Sequence, residues 1–548
     1  MRFVRRRVAL LLILLTAGGA SGAPRRWSSV SPRLRDAIDL GRARPGSRRH
    51  VVVGLALRDR DGLEAFLADV QDRRSPRFGR FLTPAEFAAA HAPTPAAEAA
   101  VVAHLEANGL TVTERFPNRL LVGAVGPTAA VERAFGVELH DVRLGGSPHF
   151  AVMDEPVLPP GVAEHVVGVL GLDDLTPARS HLRARAAVAP RAELGRDCCH
   201  LGPADVATLY DVPPSPDGSG ETLVIAGLYR WPDEDVAAFD LQWGLPDLPA
   251  GSEQICNGRA GARTCRFNRR RSLEAALDVE YAHALAPGAR IVNYMAASRS
   301  FADLAVVFNR IVTDHPGPVV VTSWGACEVN LSPAIQQMDD QVFANAGAIG
   351  QAWFAASGDH GSRDCRGDPS GHHRAVTVDH PANSPHVVGV GGTTPACSAG
   401  LVAAAPACAG YGGESAWSGS GGGISALFAR PAHQTGCGIP AGDSRLVPDV
   451  ALAANPSPGE YVAMRGGWFV VGGTSAALAA WGGLFARIAS RPGAGAPGAV
   501  GPELYALCGT PAFHDITTGS NGAYGAGPGY DPVTGLGSPD VRELLARF

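Results

Sequence analysis

Three short segments hold residues whose types and spacing could do acid–base and nucleophilic chemistry. In Leu273-Glu274-Ala275-Ala276-Leu277-Asp278 the two carboxylates stand four residues apart in a helical stretch, so they share one face a single turn apart. Close carboxylates can share a proton, which raises one pKa and suits acid–base work in an acidic medium. A solvated helix face would read the same way. In Ala356-Ser357-Gly358-Asp359-His360-Gly361-Ser362 an aspartate follows directly on an apolar run. Functional groups of parallel α/β sheets gather at such strand ends, and flanking glycines admit a close backbone approach. A turn aspartate bonded to its own backbone is the plain alternative. In Gly472-Gly473-Thr474-Ser475-Ala476-Ala477 a serine stands where a strand gives way to an Ala-rich helix. Its hydroxyl would lie near a helix N-terminus, whose positive partial charge favours a developing anion. An N-cap serine has the same appearance.

Elements with two different patterns surround these segments. From Asp197 to Phe548 the chain alternates apolar runs with helical stretches. Thr222 to Ala226, Arg290 to Tyr294, Pro318 to Ser323, Ala352 to Ala356 and Val387 to Val390 are nearly continuous Val/Ile/Ala segments. That is the signature of a buried parallel sheet, so this region is expected to be α/β. Ahead of it, from about His50 to Leu175, strands are expected at Val51 to Leu57 and on either side of Pro117-Asn118. Helices are expected over Asp61 to Asp72, Thr94 to Ala107 and Thr128 to Phe135, the last two stopped by Gly109 and Gly136. Strands with helices laid on one face suggest a small α+β sandwich of ferredoxin-like type. It contains no convergent Ser/His/Asp or metal set, which fits a helper or inhibitor better than an active site. Between the two, from about Thr176 to Leu194, the chain is rich in Arg, Ala and Pro and lacks large aromatics. An exposed linker open to proteolytic nicking is expected there.

The chain of 548 residues is long enough for two or more domains, and its 46% hydrophobic and 18% charged residues are a globular balance. The net charge of −5, without a block of like charge, lacks the footprint of a nucleic-acid binder. All basic residues are Arg, which excludes Schiff-base and P-loop chemistry built on Lys. Met1 to Arg7 carry four arginines, Val8 to Ala20 run apolar, and small residues follow through Ala23, the layout of a secretory signal peptide. Thirteen apolar residues are too few to span a bilayer, and no later stretch is long enough either. All ten cysteines fall between Cys198 and Cys508, an even number that suits disulfides in an exported protein. Cys256–Cys265 and Cys397–Cys408 are the plausible local pairs. Spacings of the zinc-binding kind are absent.

In this order, the LEAALD, ASGDHGS and GGTSAA segments resemble the sedolisins, serine-carboxyl peptidases that share the subtilisin fold. Ala286 to Ala289, Ser323-Trp324-Gly325, Pro385 to Thr393, Ser420 to Ser425 and Pro448-Asp449-Val450 add to the likeness. Ser75 to Thr83 resembles the family's activation domain of the pro-kumamolisin type. The resemblance implies a subtilisin-like α/β catalytic domain (residues 197–548), preceded by an activation prodomain (24–175) and a processing linker (176–196), and the N-terminal layout sets a signal peptide (1–23) ahead of them. It implies Ser475 as nucleophile, Glu274 as general base, Asp278 as the group that orients Glu274, and Asp359 as a protonated oxyanion-hole donor. It also implies one structural Ca2+, held by the carboxylates of Asp515 and Asp531 and the carbonyls of Ile516, Gly527 and Gly529. Where the family usually has Pro four residues after the serine, this chain has Ala479, and Gly227-Leu228-Tyr229 supplies no extra carboxylate. The expected protein is a secreted, monomeric, self-processing acid endopeptidase acting on polypeptides, its own prodomain serving as intramolecular inhibitor. A tripeptidyl-type exopeptidase and a catalytically inactive secreted scaffold are the alternatives.

Overall fold

The structure is a computed structural model that describes residues 26–188, 200–257, 267–268, 271–366, 373–401 and 408–548. The expected signal peptide and Cys198, Cys199 and Cys265 lie outside these residues, so the Cys256–Cys265 pairing does too.

The apolar runs of the C-terminal region form one sheet. Glu253–Cys256, Arg290–Met295, Thr222–Gly227, Val319–Thr322, Ala352–Ala356 and Val388–Cys397 lie side by side in that order, each parallel to its neighbour. Val450–Ala453 also pairs in parallel with Val388–Cys397, and Tyr411–Ala416 adds an antiparallel strand. The chain winds outward in both directions from Thr222–Gly227, which leaves a crevice at the carboxyl ends of the central strands. Alternate residues of each strand face opposite ways. Leu223, Ile225, Val319 and Val321 pack against the helices Ser272–Leu285 and Thr474–Ala489. Val224, Ala226 and Val320 pack against the helices Phe301–Asp314 and Pro333–Ala348.

The N-terminal region forms an antiparallel sheet in the order Thr111–Arg115, Leu121–Pro127, Arg48–Leu55, Val166–Leu170. Numbered along the chain, its strands lie 2-3-1-4, the ferredoxin-like arrangement. Thr94 caps the helix Pro95–Ala107 by accepting from Ala97 N–H, and Gly136, with φ of 60°, ends the helix Thr128–Phe135. These helices cover one sheet face, where Val51, Val53 and Leu55 point. The other face meets the helix Pro333–Ala348 so closely that a Cβ on Gly168 would lie 2.5 Å from the Ala334 methyl. Val52, Leu63, Leu67 and Phe87 thereby join Leu304, Phe308, Met338 and Trp353 in one continuous apolar cluster spanning both regions. Each such fully buried side chain contributes about 1.5–3 kcal/mol relative to exposure. Polar links cross the same interface. His50 Nδ1 lies 2.8 Å from Asp303, Arg60 lies 3.0 Å from Asp340, His386 lies 3.4 Å from Glu64, and Asn118 and Asn309 exchange amide hydrogen bonds.

The linker differs from the expected exposed segment. Arg179–Ser180 pairs antiparallel with the strand Trp324–Cys327, and Arg183–Val188 pairs antiparallel with Gly467–Gly472, the strand that leads into Ser475. A strand added to an existing sheet edge takes its stability from main-chain hydrogen bonds, so it needs no core of its own. The described disulfides are Cys397–Cys408, as expected, with Cys327–Cys365 and Cys437–Cys508, which spacing did not reveal. Among the described residues no helix is long and apolar enough to cross a membrane.

Candidate active site

The helix Ser272–Leu285 is built of good helix formers and is buried almost all round, so it carries its carboxyls into the interior. Glu274 and Asp278 are each 1% exposed, which sets aside the solvated-face alternative. Ser323 Oγ donates to Asp278 Oδ1 at 2.7 Å. Burial raises the pKa of Asp278 to about 7. Burial, and then the charge of Asp278, push Glu274 well above the usual carboxyl range. Two carboxyls one helical turn apart and this dry resist ionising together, and an acid–base pair needs that property.

Ser475 is the second residue of the helix Thr474–Ala489, and Gly473 rather than a serine occupies the N-cap position. The hydroxyls of Ser475 and Ser180 lie close enough to Glu274 to draw its pKa down, without an aligned hydrogen bond to either Glu274 oxygen. Asp359, just past the strand Ala352–Ala356, accepts through Oδ1 from Thr474 N–H (2.8 Å) and from Thr474 Oγ1 (3.0 Å). Its Oδ2 makes no hydrogen bond and has Arg183 Nε at 3.3 Å. Burial raises Asp359 to about 6.

The linker passes directly over this group. His181 N–H donates to Ser323 O at 3.2 Å, and Ser475 N–H donates to His181 O at 3.1 Å. Gly473 has φ of 104°, and a Cβ there would collide with the His181 carbonyl and stand 2.7 Å from Asp359 Oδ2. Only a glycine leaves that space free. The carbonyl of the His181–Leu182 bond thus sits at a helix N-terminus beside a protonatable carboxyl and a buried serine. This arrangement can stabilise an oxyanion while an adjacent base activates a nucleophile.

The structure therefore brings Glu274, Asp278, Asp359 and Ser475 together around one peptide bond. His360 does not join Asp359; its Nδ1 lies 3.9 Å from Asp364 Oδ1. Trp324 packs at 5.5 Å on Tyr229, whose hydroxyl accepts from Arg271. Sequence reading missed Ser323, Thr474, Asp364 and Asp379. The Ser323-Trp324-Gly325 and GGTSAA segments, both already part of the resemblance, contain Ser323 and Thr474, whereas no quoted segment contains Asp364 or Asp379. Elsewhere, Asp515 Oδ2 accepts from Gly529 N–H (3.0 Å) and Asp531 Oδ2 from Gly527 N–H (3.3 Å), so both carboxylates converge on one loop. Ile516 and Asp531 are buried. Among the described residues no three His, Cys, Asp or Glu side chains gather around a metal position, so a cation here would lean on backbone carbonyls.

Residues 35–175 match the family described as "Pro-kumamolisin, activation domain". The chain is 31% identical to sedolisin of Pseudomonas sp. (strain 101), over 98% of this chain and 95% of that protein. It is 33% identical to kumamolisin of Bacillus sp. (strain MN-32), over 93% of each. The solved structure of Pseudomonas sedolisin, described as a serine-carboxyl proteinase complexed with two molecules of pseudo-iodotyrostatin, superposes with a TM-score of 0.55 at 29% identity. That match covers 64% of this chain and 98% of the other. With a subtilisin-like sheet, an activation domain and this breadth of similarity, the chain belongs to the sedolisin family of serine-carboxyl peptidases.

Proposed function

We propose that the protein is a secreted, self-processing acid endopeptidase that cuts peptide bonds through an acyl-enzyme on Ser475. The observation that carries this reading is the His181–Leu182 bond lying in the protein's own cleft, its carbonyl accepting from Ser475 N–H at 3.1 Å. Glu274, in its ionised form, takes the Ser475 proton as Oγ attacks the His181 carbonyl carbon, while Asp278, held by Ser323, orients Glu274. The oxyanion receives hydrogen bonds from Ser475 N–H and from protonated Asp359. Collapse breaks the C–N bond, Glu274 hands its proton to the Leu182 amine, and water then hydrolyses the ester with Glu274 again as base. An ionised Asp359 would repel the oxyanion, so the site works in acid.

The cleft holds chain on both sides of the bond, upstream along Trp324–Cys327 and downstream along Gly467–Gly472, which favours endo- over tripeptidyl cleavage. The prodomain inhibits by docking on the sheet and holding the linker in place. The N-terminal layout and the disulfides favour export. Asp515, Ile516, Gly527, Gly529 and Asp531 offer the hard oxygen set that one structural Ca2+ takes, and their convergence on one loop fits it.

A gel time course of the full chain shifted from pH 7 to about pH 4, where carboxyls titrate, tests the reading. The wild type should release its N-terminal region, with Leu182 as the first new N-terminus, while Ser475→Ala stays intact. Equal conversion of both proteins would sink self-processing by Ser475. No conversion, with a denatured protein substrate also untouched, would move the inactive scaffold to the front.

A further inference from the structure

The linker brings a cation of its own to the carboxyl that must serve the oxyanion. Arg183 opens the strand Arg183–Val188, and its partner in the pairing is Gly472, three residues before Ser475. From there Arg183 Nη2 donates to the Asp359 carbonyl at 2.8 Å, which holds the guanidinium with Nε 3.3 Å from Asp359 Oδ2. Oδ2 is the oxygen without a hydrogen bond of its own, on the side of the His181 carbonyl. A guanidinium stays charged and can only donate, so it favours an Asp359 that has lost its proton. Cleavage of the bond needs an Asp359 that keeps it.

The other groups that face Asp359 leave this opposition to Arg183. The Thr474 N–H and hydroxyl engage Oδ1 and belong to the catalytic region itself. Glu274 faces Asp359 from the helix Ser272–Leu285, and a second carboxylate favours the protonated form of its neighbour. His360, next in the chain, turns to Asp364, 3.9 Å from its Nδ1. Burial raises Asp359 to about 6 against the pull of the His181 and Arg183 charges. The pull of His181 exists only while its ring is protonated, which its burial disfavours. That of Arg183 is permanent. A molecule that cleaves an outside peptide has emptied its cleft of the linker, so Asp359 then works without Arg183.

We infer that Arg183 is an autoinhibitory latch: seated on Asp359 in the uncut chain, it withholds the oxyanion donor from the protein's own linker until the medium is more acid than the processed enzyme needs. This rests on the reading that places His181–Leu182 at Ser475. Arg183 acts through Asp359 and takes no part in breaking the bond.

Gel time courses of the full chain from about pH 3 to about pH 7 test the latch, with wild type, Arg183→Gln and Arg183→Lys in parallel. The acid-processed form of each also cleaves an internally quenched peptide without basic residues. The Arg183 side chain is 39% exposed, so solvent keeps its effect at the low end for an Asp beside an Arg. The alkaline limb of wild-type conversion should therefore lie about one pH unit below that of Arg183→Gln, a tenfold difference in rate at a given pH on that limb. Arg183→Lys keeps the charge and should stay near wild type. On the peptide the three processed enzymes should share one profile, reaching to higher pH than wild-type conversion does. The position of a limb does not depend on how much protein folds, so partial misfolding does not mimic the shift. Coincident conversion limbs in wild type and Arg183→Gln overturn the latch, and uniform slowing at every pH would show that Arg183 merely seats the linker. If no variant converts at any pH and denatured protein also stays intact, the peptidase reading falls and the latch with it.

Discussion

Asp359 spends one oxygen on fixing itself and leaves the other without a hydrogen bond. Oδ1 is taken by the Thr474 N–H and hydroxyl at 2.8 and 3.0 Å, which leaves Oδ2 beside the His181 carbonyl. Only the protonated carboxyl can donate there. With its pKa raised by burial to about 6, the donor form is present below that pH and is lost as the pH rises through it. kcat/KM should therefore fall about tenfold per pH unit on the alkaline side. Asp359→Asn keeps an acceptor for Thr474 and places a non-titrating N–H at Oδ2, so its pH–rate profile should lack this limb. Asp359→Ala should lower kcat by 10²–10³, about 3–4 kcal/mol. At this scale the sequence was informative where chemistry is local. Glu274 and Asp278 show their pairing by helical spacing, and Asp359 and Ser475 by the strand ends and glycines beside them. Ser323 reaches Asp278 across 45 residues, and no local pattern encodes such a contact.

The parallel strands and the prodomain helices were legible because burial on both faces, capping residues and glycine stops leave marks on neighbouring residues. Observed strands such as Ala352–Ala356 and helices such as Pro95–Ala107 match the expected bounds closely. The linker strands were not legible. Composition reports whether a segment can build a core, and a strand that borrows a sheet edge does not have to. That borrowed position is sterically exacting at Gly473, where φ is 104° and a side chain would meet the His181 carbonyl. Gly473→Ala should leave a folded proprotein, destabilised by about 1–3 kcal/mol from backbone strain. Its conversion at acid pH should nevertheless be abolished. Gel analysis alongside a thermal melt separates these two effects, and normal conversion would show that the linker does not enter as described.

Over the whole molecule, the prodomain is held by an apolar cluster and by ion pairs that answer to pH in opposite ways. Against its burial, hydrogen bonds to Asp303 and Glu114 raise the pKa of His50 to about 9. Its contribution to docking is full below the ordinary histidine value of about 6.5 and is lost as pH rises through 9. Glu64, held low by His386 against its own burial, contributes above the ordinary carboxyl range and loses that as pH falls through its depressed pKa. In a Ser475→Ala background, Asp303→Asn should lower the stability of the proprotein by about 1–3 kcal/mol at pH 6, with the difference shrinking above pH 9. Melts at the two pH values check the sign. Chelation by EDTA should lower the melting temperature of the wild type, and Asp531→Asn should blunt that response, if Ca2+ holds the Gly527–Asp531 loop. The threading of residues 179–188 through the cleft also bears on the molecularity of the proposed first cut. If Ser475 cuts the His181–Leu182 bond as proposed, substrate and nucleophile belong to one chain, and the local concentration of the bond is set by the fold and not by the solution. Diluting the proprotein a thousandfold should leave the half-time of conversion unchanged, whereas a reaction between two molecules would slow in proportion.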